Sequence, residues 1–251
     1  KVALRNLFRN KIYSLINIVG LSAGLAATIL LFLYVRLELS YDKHFNEHEK
    51  IYRVLSHSSR SGEQEISMPI TIYEIQNIAM DEVPEVEYAT RLSSFVQNEV
   101  KVKNESKGFY TRVLADSCFF RIFLFKSVAG DLEKALVEPY SVVLTKESAE
   151  KIYGHTNVVG EPIHVFGADM TVKAVMENIP ENTHLKFDVL VSINTSDEAY
   201  MKQQGNNFHV YVKFNQAITP DIKSKAEKAI SSYVNEMFKE YKIEYTHELQ
   251  P

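Results

Sequence analysis

The chain has 251 residues, with 28 Lys and Arg against 32 Asp and Glu, and a net charge of −4. The bases are scattered and leave no basic stripe to meet phosphates, which argues against a nucleic-acid partner. Cys118 is the single cysteine, so no internal disulfide supports the fold and its core rests on burial.

The first ten residues, KVALRNLFRN, set Val2, Leu4, Leu7 and Phe8 among Arg5, Asn6 and Arg9. That pattern predicts a short amphipathic elbow helix over 1–11, lying in the cytoplasmic interface of a membrane. The chain opens on Lys rather than Met and reads as a fragment of a longer protein.

From Ile12 to Val35, 24 residues pass without a charge. As a helix rising about 1.5 Å per residue they cover about 36 Å, enough to cross a hydrocarbon core of about 30 Å. A transmembrane helix is therefore predicted over 12–38. A secretory signal has an apolar stretch of only about 7–15 residues and a small-residue cleavage site; here Arg36, Glu38 and Asp42 follow instead. The first 36 residues hold five bases (Lys1, Arg5, Arg9, Lys11 and Arg36) and no acid, and four of the five precede the span. The positive-inside rule then places the N-terminus in the cytoplasm and the acidic remainder outside. Gly20 and Gly24, with Ala27 one turn on, have the small-residue spacing at which a second membrane helix approaches closely.

Residues 39–251 read as an extracytoplasmic α+β domain of two lobes. IYRVLSH (51–57) is a predicted strand, followed by a polar loop. A helix is predicted to start at Pro69, with Ile72, Ile75, Ile78 and Ala79 on one face, and to end before Pro84. EVEYATRLSSF, ending at Phe95, returns as a strand. A second β-α-β unit closes the chain: FHVYVKFN (208–215), a helix capped by Thr219 with Pro220 at its first position, and KIEYTHEL from 242. Two such units imply a ferredoxin-like sheet, forming a porter-like lobe over about 48–95 and 191–251. Between them a strand-rich lobe, about 96–190, carries EVKVK, FYTRVLA, YSVVLT, IHVF, MTVKAVME and FDVLVSI. One helix interrupts it, with Thr145 as N-cap and Gly154 as its stop. CFFRIFLF around Cys118 reads as a buried segment, with Cys118 a small core residue.

No constellation for catalysis stands out, and the chain is read as no enzyme. His44 and His48 have the i, i+4 spacing of a helical metal pair, but no third ligand lies nearby. His155, His164, His184 and His209 are isolated. Gly154, Gly160 and Gly167 are too scattered for a phosphate loop, and Ser141 and Ser148 lack a base and acid at a recognisable spacing. No catalytic, cofactor or metal residue is assigned, and the substrate-binding residues are unknown.

Several segments resemble a known family. ALRNL (Ala3–Leu7), N-x-x-G-L (Asn17–Leu21) and ELSYD (Glu38–Asp42) are similar to the N-terminal entry of FtsX-like ABC transporter permeases. IYRV (51–54), ADSCFFRIFLF (115–125), GDLEKAL (130–136), SVVLTKESAEKIYG (141–154) and NIPENTHLKFDVL (178–190) resemble the MacB-like periplasmic core domain. The resemblance implies a permease of the bacterial inner membrane with its large domain in the periplasm. It implies a cytoplasmic ABC ATPase that binds the ATP, a second permease or permease half, and membrane lipid as partners, with a periplasmic or outer-membrane partner left open. It further implies that ATP-driven motion passes through the first helix to the external domain, for export or extrusion of envelope substrates. The family carries further spans after this domain, where the present sequence ends at Pro251. The rival reading is a single-pass sensor or binding protein, which leaves the basic elbow and the glycine pair unexplained.

Overall fold

The computed structural model describes residues 11–43, 45, 47–60, 64–241 and 243–251. The elbow assigned to 1–11 therefore lies, apart from Lys11, outside the described residues, as does His44. The chain divides into two compact units. The first contains helix α1 (Lys11–Leu39), the residues directly after it, and the segment Glu181–His184. None of the 29 residues of α1 is buried. An uninterrupted apolar helix with no buried face is the form expected of a segment solvated by lipid.

The second unit takes up Phe45–Pro180 and Leu185–Pro251. It begins with β1 (Ile51–Arg60), a short β2 (Ile66–Met68), α2 (Ile75–Glu82) and β3 (Val86–Ser93). An insertion follows: β4 (Val96–Val102), β5 (Glu105–Ala115), α3 (Phe119–Ile122), β6 (Ser127–Gly130), β7 (Ser141–Thr145), α4 (Lys146–Tyr153), β8 (Pro162–Val165), β9 (Ala168–Met176) and β10 (Val189–Ser192). After α5 (Glu198–Lys202) come β11 (Phe208–Phe214), α6 (Pro220–Met237) and β12 (Ile243–Gln250).

The outer strands lie in the order β12–β1–β11–β3, antiparallel throughout, which is the ferredoxin-like arrangement of two β-α-β units. Ile75, Ile78 and Ala79 of α2 and Ala226, Ile230 and Val234 of α6 bury against Val210, Val212 and Phe214 of the sheet. Local chemistry sets the helix ends: the Thr219 hydroxyl accepts from the Ile222 N–H at 3.3 Å, and Pro220 opens α6.

The insertion closes on itself. β4 pairs with β5, β5 with β10, β10 with β7, β7 with β9, β9 with β8, and β8 with β4. The last pairing is the single bridge Lys101–His164. Side chains alternate across these strands. Val100, Val142, Leu144, Val172, Val189 and Val191 enter one buried cluster, which also receives Ala149 and Ile152 of α4. Val113, Val143, Ala174, Met176 and Leu190 face a second cluster, with Phe119, Phe120, Phe123 and Phe187. α4 is capped as the sequence predicts, by the Thr145 hydroxyl at 3.2 Å from the Ser148 N–H and by Gly154 at φ 84°. β6 reaches β9 so closely that a Cβ on Gly130 would stand 2.4 Å from the Lys173 carbonyl oxygen.

Three local expectations change. α2 starts at Ile75 rather than Pro69, because Thr71 is held in a β-bridge with Phe208, its N–H 2.7 Å from the Phe208 oxygen. Part of the predicted polar loop is strand β2, paired with β1. Cys118 is half-buried, not a core residue: it directly precedes α3 and its side chain makes no capping bond, and the phenylalanines after it fill the core.

Candidate functional site

Two features of the first unit stand out. On α1, Gly20, Gly24 and Ala27 lie within two turns on one stripe, and a Cβ on either glycine would meet nothing within 4 Å. Thr28 returns its hydroxyl to the Gly24 carbonyl at 2.8 Å, so its polar group is satisfied within the helix.

The second feature is the knot at the C-terminal end of α1. Asp42 takes a left-handed φ of 58°, and its N–H donates to the Asn182 carbonyl at 2.9 Å. The Asn182 amide donates back to the Ser40 carbonyl at 3.0 Å, and the Tyr41 hydroxyl donates to the Thr183 carbonyl at 2.9 Å. The Asp42 carboxylate accepts from the Thr183 hydroxyl and from the His184 N–H, and its second oxygen lies 2.8 Å from His184 Nδ1. Burial works against the charged carboxylate, and the bonds from His184 and Thr183 outweigh it, so Asp42 titrates below the ordinary carboxylate range. The knot joins ELSYD to the ENTH of NIPENTHLKFDVL, segments about 140 residues apart in sequence that carried the family resemblance separately. His184, isolated in the sequence, becomes the partner of Asp42.

The other singled-out residues do not converge. His48 sits exposed in a 3-10 turn beside Glu49. His164 bonds Asp169 at 2.8 Å, and His209 meets Arg53 and the Pro69 carbonyl. Gly160 and Gly167 occupy turns with φ of 91° and 73°. Ser148 belongs to the cap of α4. A cleft of about 210 Å³ opens at the start of α4, lined by Thr145, Glu147, Asn178, Lys186 and Asp188, but Asp188 already accepts the Thr111 N–H at 2.8 Å.

Buried charges are a class that the sequence reading missed. Arg91 of β3 holds Asp116 with Nε at 3.0 Å and Nη2 at 2.7 Å, and its guanidinium lies 3.8 Å from the Tyr73 ring centroid. This pair flanks Leu92–Ala115, the one backbone pairing between β3 and β5. Lys213 of β11 is 5% exposed and reaches Glu47 at 2.8 Å; that bond, helped by Lys50, lowers the Glu47 carboxyl to about 2.

Residues 14–229 match the family described as the MacB-like periplasmic core domain. The chain belongs to that family. Solved structures share the fold of this MacB-like domain. A domain of a putative permease from Porphyromonas gingivalis is 21% identical, with a TM-score of 0.71, covering 82% of this chain and 91% of its own. The periplasmic region of MacB from Actinobacillus actinomycetemcomitans is 12% identical, with a TM-score of 0.55, covering 78% and 87%. The extracellular domain of the noncanonic ABC-type transporter YknZ from Gram-positive bacteria is 15% identical, with a TM-score of 0.56, covering 80% and 100%. No curated protein matches the chain. The MacB-like domain here follows an apolar helix of membrane-spanning length, so this is a membrane protein of the ABC-permease class with an external domain.

Proposed function

We propose that this chain is the force-transmitting part of an inner-membrane ABC transporter permease. A separate cytoplasmic ATPase binds and hydrolyses ATP, and a second permease or permease half packs against α1 along Gly20, Gly24 and Ala27. Motion of α1 then reaches the external domain and drives export or extrusion of an envelope substrate. The observation that carries this reading is the extent of the family match, which begins inside α1 at residue 14 and runs to residue 229. Helix and external domain are thus one inherited unit rather than a domain on an interchangeable anchor. The knot supports the same reading: through residues 181–184 the helix end is tied to chain that continues into the external domain, besides its direct continuation at 44–45.

The test is the Gly20→Leu/Gly24→Leu variant in a permease reconstituted with its ATPase. Filling the stripe blocks close helix approach. The expected result is a several-fold loss of ATP-coupled transport with an unchanged unfolding midpoint of the external domain. Full coupled transport in the variant would overturn the role given to the stripe. Failure of the chain to co-purify with any ABC ATPase would overturn the permease reading itself.

A further inference from the structure

Among the described residues, the buried charges of the second unit have partners, with one exception. Arg91 is matched by Asp116, and Lys213 by Glu47. Arg112 of β5 is 6% exposed, and among the described residues no carboxylate lies within ion-pair distance of it. Its Nε donates to Asn98 Oδ1 at 3.0 Å. Its guanidinium lies 4.2 Å from the centroid of the Phe166 ring, which the tight Phe166–Gly167 turn between β8 and β9 carries over it. Burial alone holds its pKa down at about 10, with no compensating negative charge nearby.

The strand pattern locates the group. Arg112 alternates with Tyr110 and Leu114, so it shares their face, the one turned to the cluster with Val100 and Val189. Its cross-strand neighbour on β4 is Val96, and Val189 of β10 pairs with it on the other side. Val96 remains 41% exposed and Phe166 39% exposed. A cation flanked by two partly exposed apolar side chains, with a single protein hydrogen bond among the described residues, has the composition of a binding site rather than of a core. A buried charge without an opposite charge costs stability, and a well-packed apolar residue of the same size removes that cost. Residues that lower stability in this way concentrate at functional positions.

We propose that Arg112, Asn98, Phe166 and Val96 form a binding site for an anionic group, a carboxylate or phosphate monoester, carried on a flat apolar body. The guanidinium fork takes the anion in bidentate fashion. Asn98 fixes the fork through Nε, leaving the Nη groups for the ligand, and the Phe166 ring with Val96 receives the apolar part.

Isothermal titration calorimetry on the full chain in detergent tests this, with phenyl phosphate, benzoate, inorganic phosphate and the neutral benzamide as probes. Expected is saturable binding of phenyl phosphate or benzoate, at least tenfold weaker binding of inorganic phosphate, and none of benzamide. Whichever aromatic anion binds more tightly names the anionic group. Arg112→Met should abolish binding while the melting temperature stays equal or rises, the mark of a residue held for a ligand. Arg112→Lys keeps the charge without the fork and should weaken binding tenfold or more; it decides the matter if the methionine variant fails to fold. No binding of either aromatic anion by the native chain overturns the proposal, as does unchanged binding in Arg112→Lys.

Discussion

The two halves of the external domain seal their sheet edges in opposite ways. The insertion joins β4, β5, β10, β7, β9 and β8 into a ring, at the cost of one weak seam, Lys101–His164, with the short β6 added on β9. The ferredoxin-like half keeps an edge at β12 and covers it with side chains of α6. Asn235 receives the Tyr245 N–H and donates to the Tyr245 carbonyl, both at 2.8 Å. Ser231 receives the His247 N–H at 2.9 Å, and Glu227 the Leu249 N–H at 2.8 Å. An open edge is a template for unwanted strand pairing. The comparison shows that a helix face can supply, from polar side chains, what a neighbouring strand would supply from its backbone.

The largest effect is expected where the halves join. Asp116→Ala leaves Arg91 buried without its carboxylate and should cost about 3–5 kcal/mol, read as a fall in the urea midpoint. Adding Arg91→Met should recover most of the loss. If the double variant stays as unstable as the single one, the junction depends on the ion pair in particular and not on filled volume.

The next effect is pH dependence at the covered edge. His247 is 6% exposed, and burial, with His57 nearby, lowers its pKa to about 4 from the usual 6.5. The unfolded chain therefore takes up this proton first. The stability contributed by neutral His247 is complete above about pH 6.5 and is lost as pH falls toward 4, by up to about 3 kcal/mol. Urea midpoints at pH 7 and pH 5 should differ in that direction, and His247→Gln should narrow the gap. Equal midpoints in the native chain would show that the imidazole reaches water.

The smallest effect tests the cover itself. Asn235→Ala strips the partner from both backbone groups of Tyr245 and should cost about 1–2 kcal/mol in urea unfolding. It should also raise self-association at high concentration, measured by sedimentation. A variant that loses stability yet stays monomeric would mean that α6 shields β12 by bulk rather than by bonding.

Much of this fold was legible in sequence because much of it is local. Thr145, Gly154, Thr219 and Pro220 mark helix ends through atoms a few residues away, and the insertion strands show in their alternation. The misses are non-local. Pro69 looked like a helix start because nothing nearby shows that Thr71 is claimed by Phe208. Glu227, Ser231 and Asn235 fall on the polar stripe of α6, indistinguishable by period from a solvated face. Arg91 and Arg112 carry no mark in the sequence, since burial of a long charged side chain depends on which strand lies opposite. The Asp42–His184 knot was visible only as two separate family-like motifs.

The cover on β12 also carries a built-in length limit. Four residues of helix advance about 6.0 Å, while two residues of antiparallel strand advance about 6.8 Å. Rungs set at 227, 231 and 235 against 249, 247 and 245 therefore slip by about 0.8 Å per step, like the two scales of a vernier. The shortest side chain, Ser231, occupies the middle rung, and the longer Asn235 and Glu227 take the ends, where the slip must be bridged. A fourth rung would double the offset from the middle one to about 1.6 Å, more than the three rungs present have to bridge.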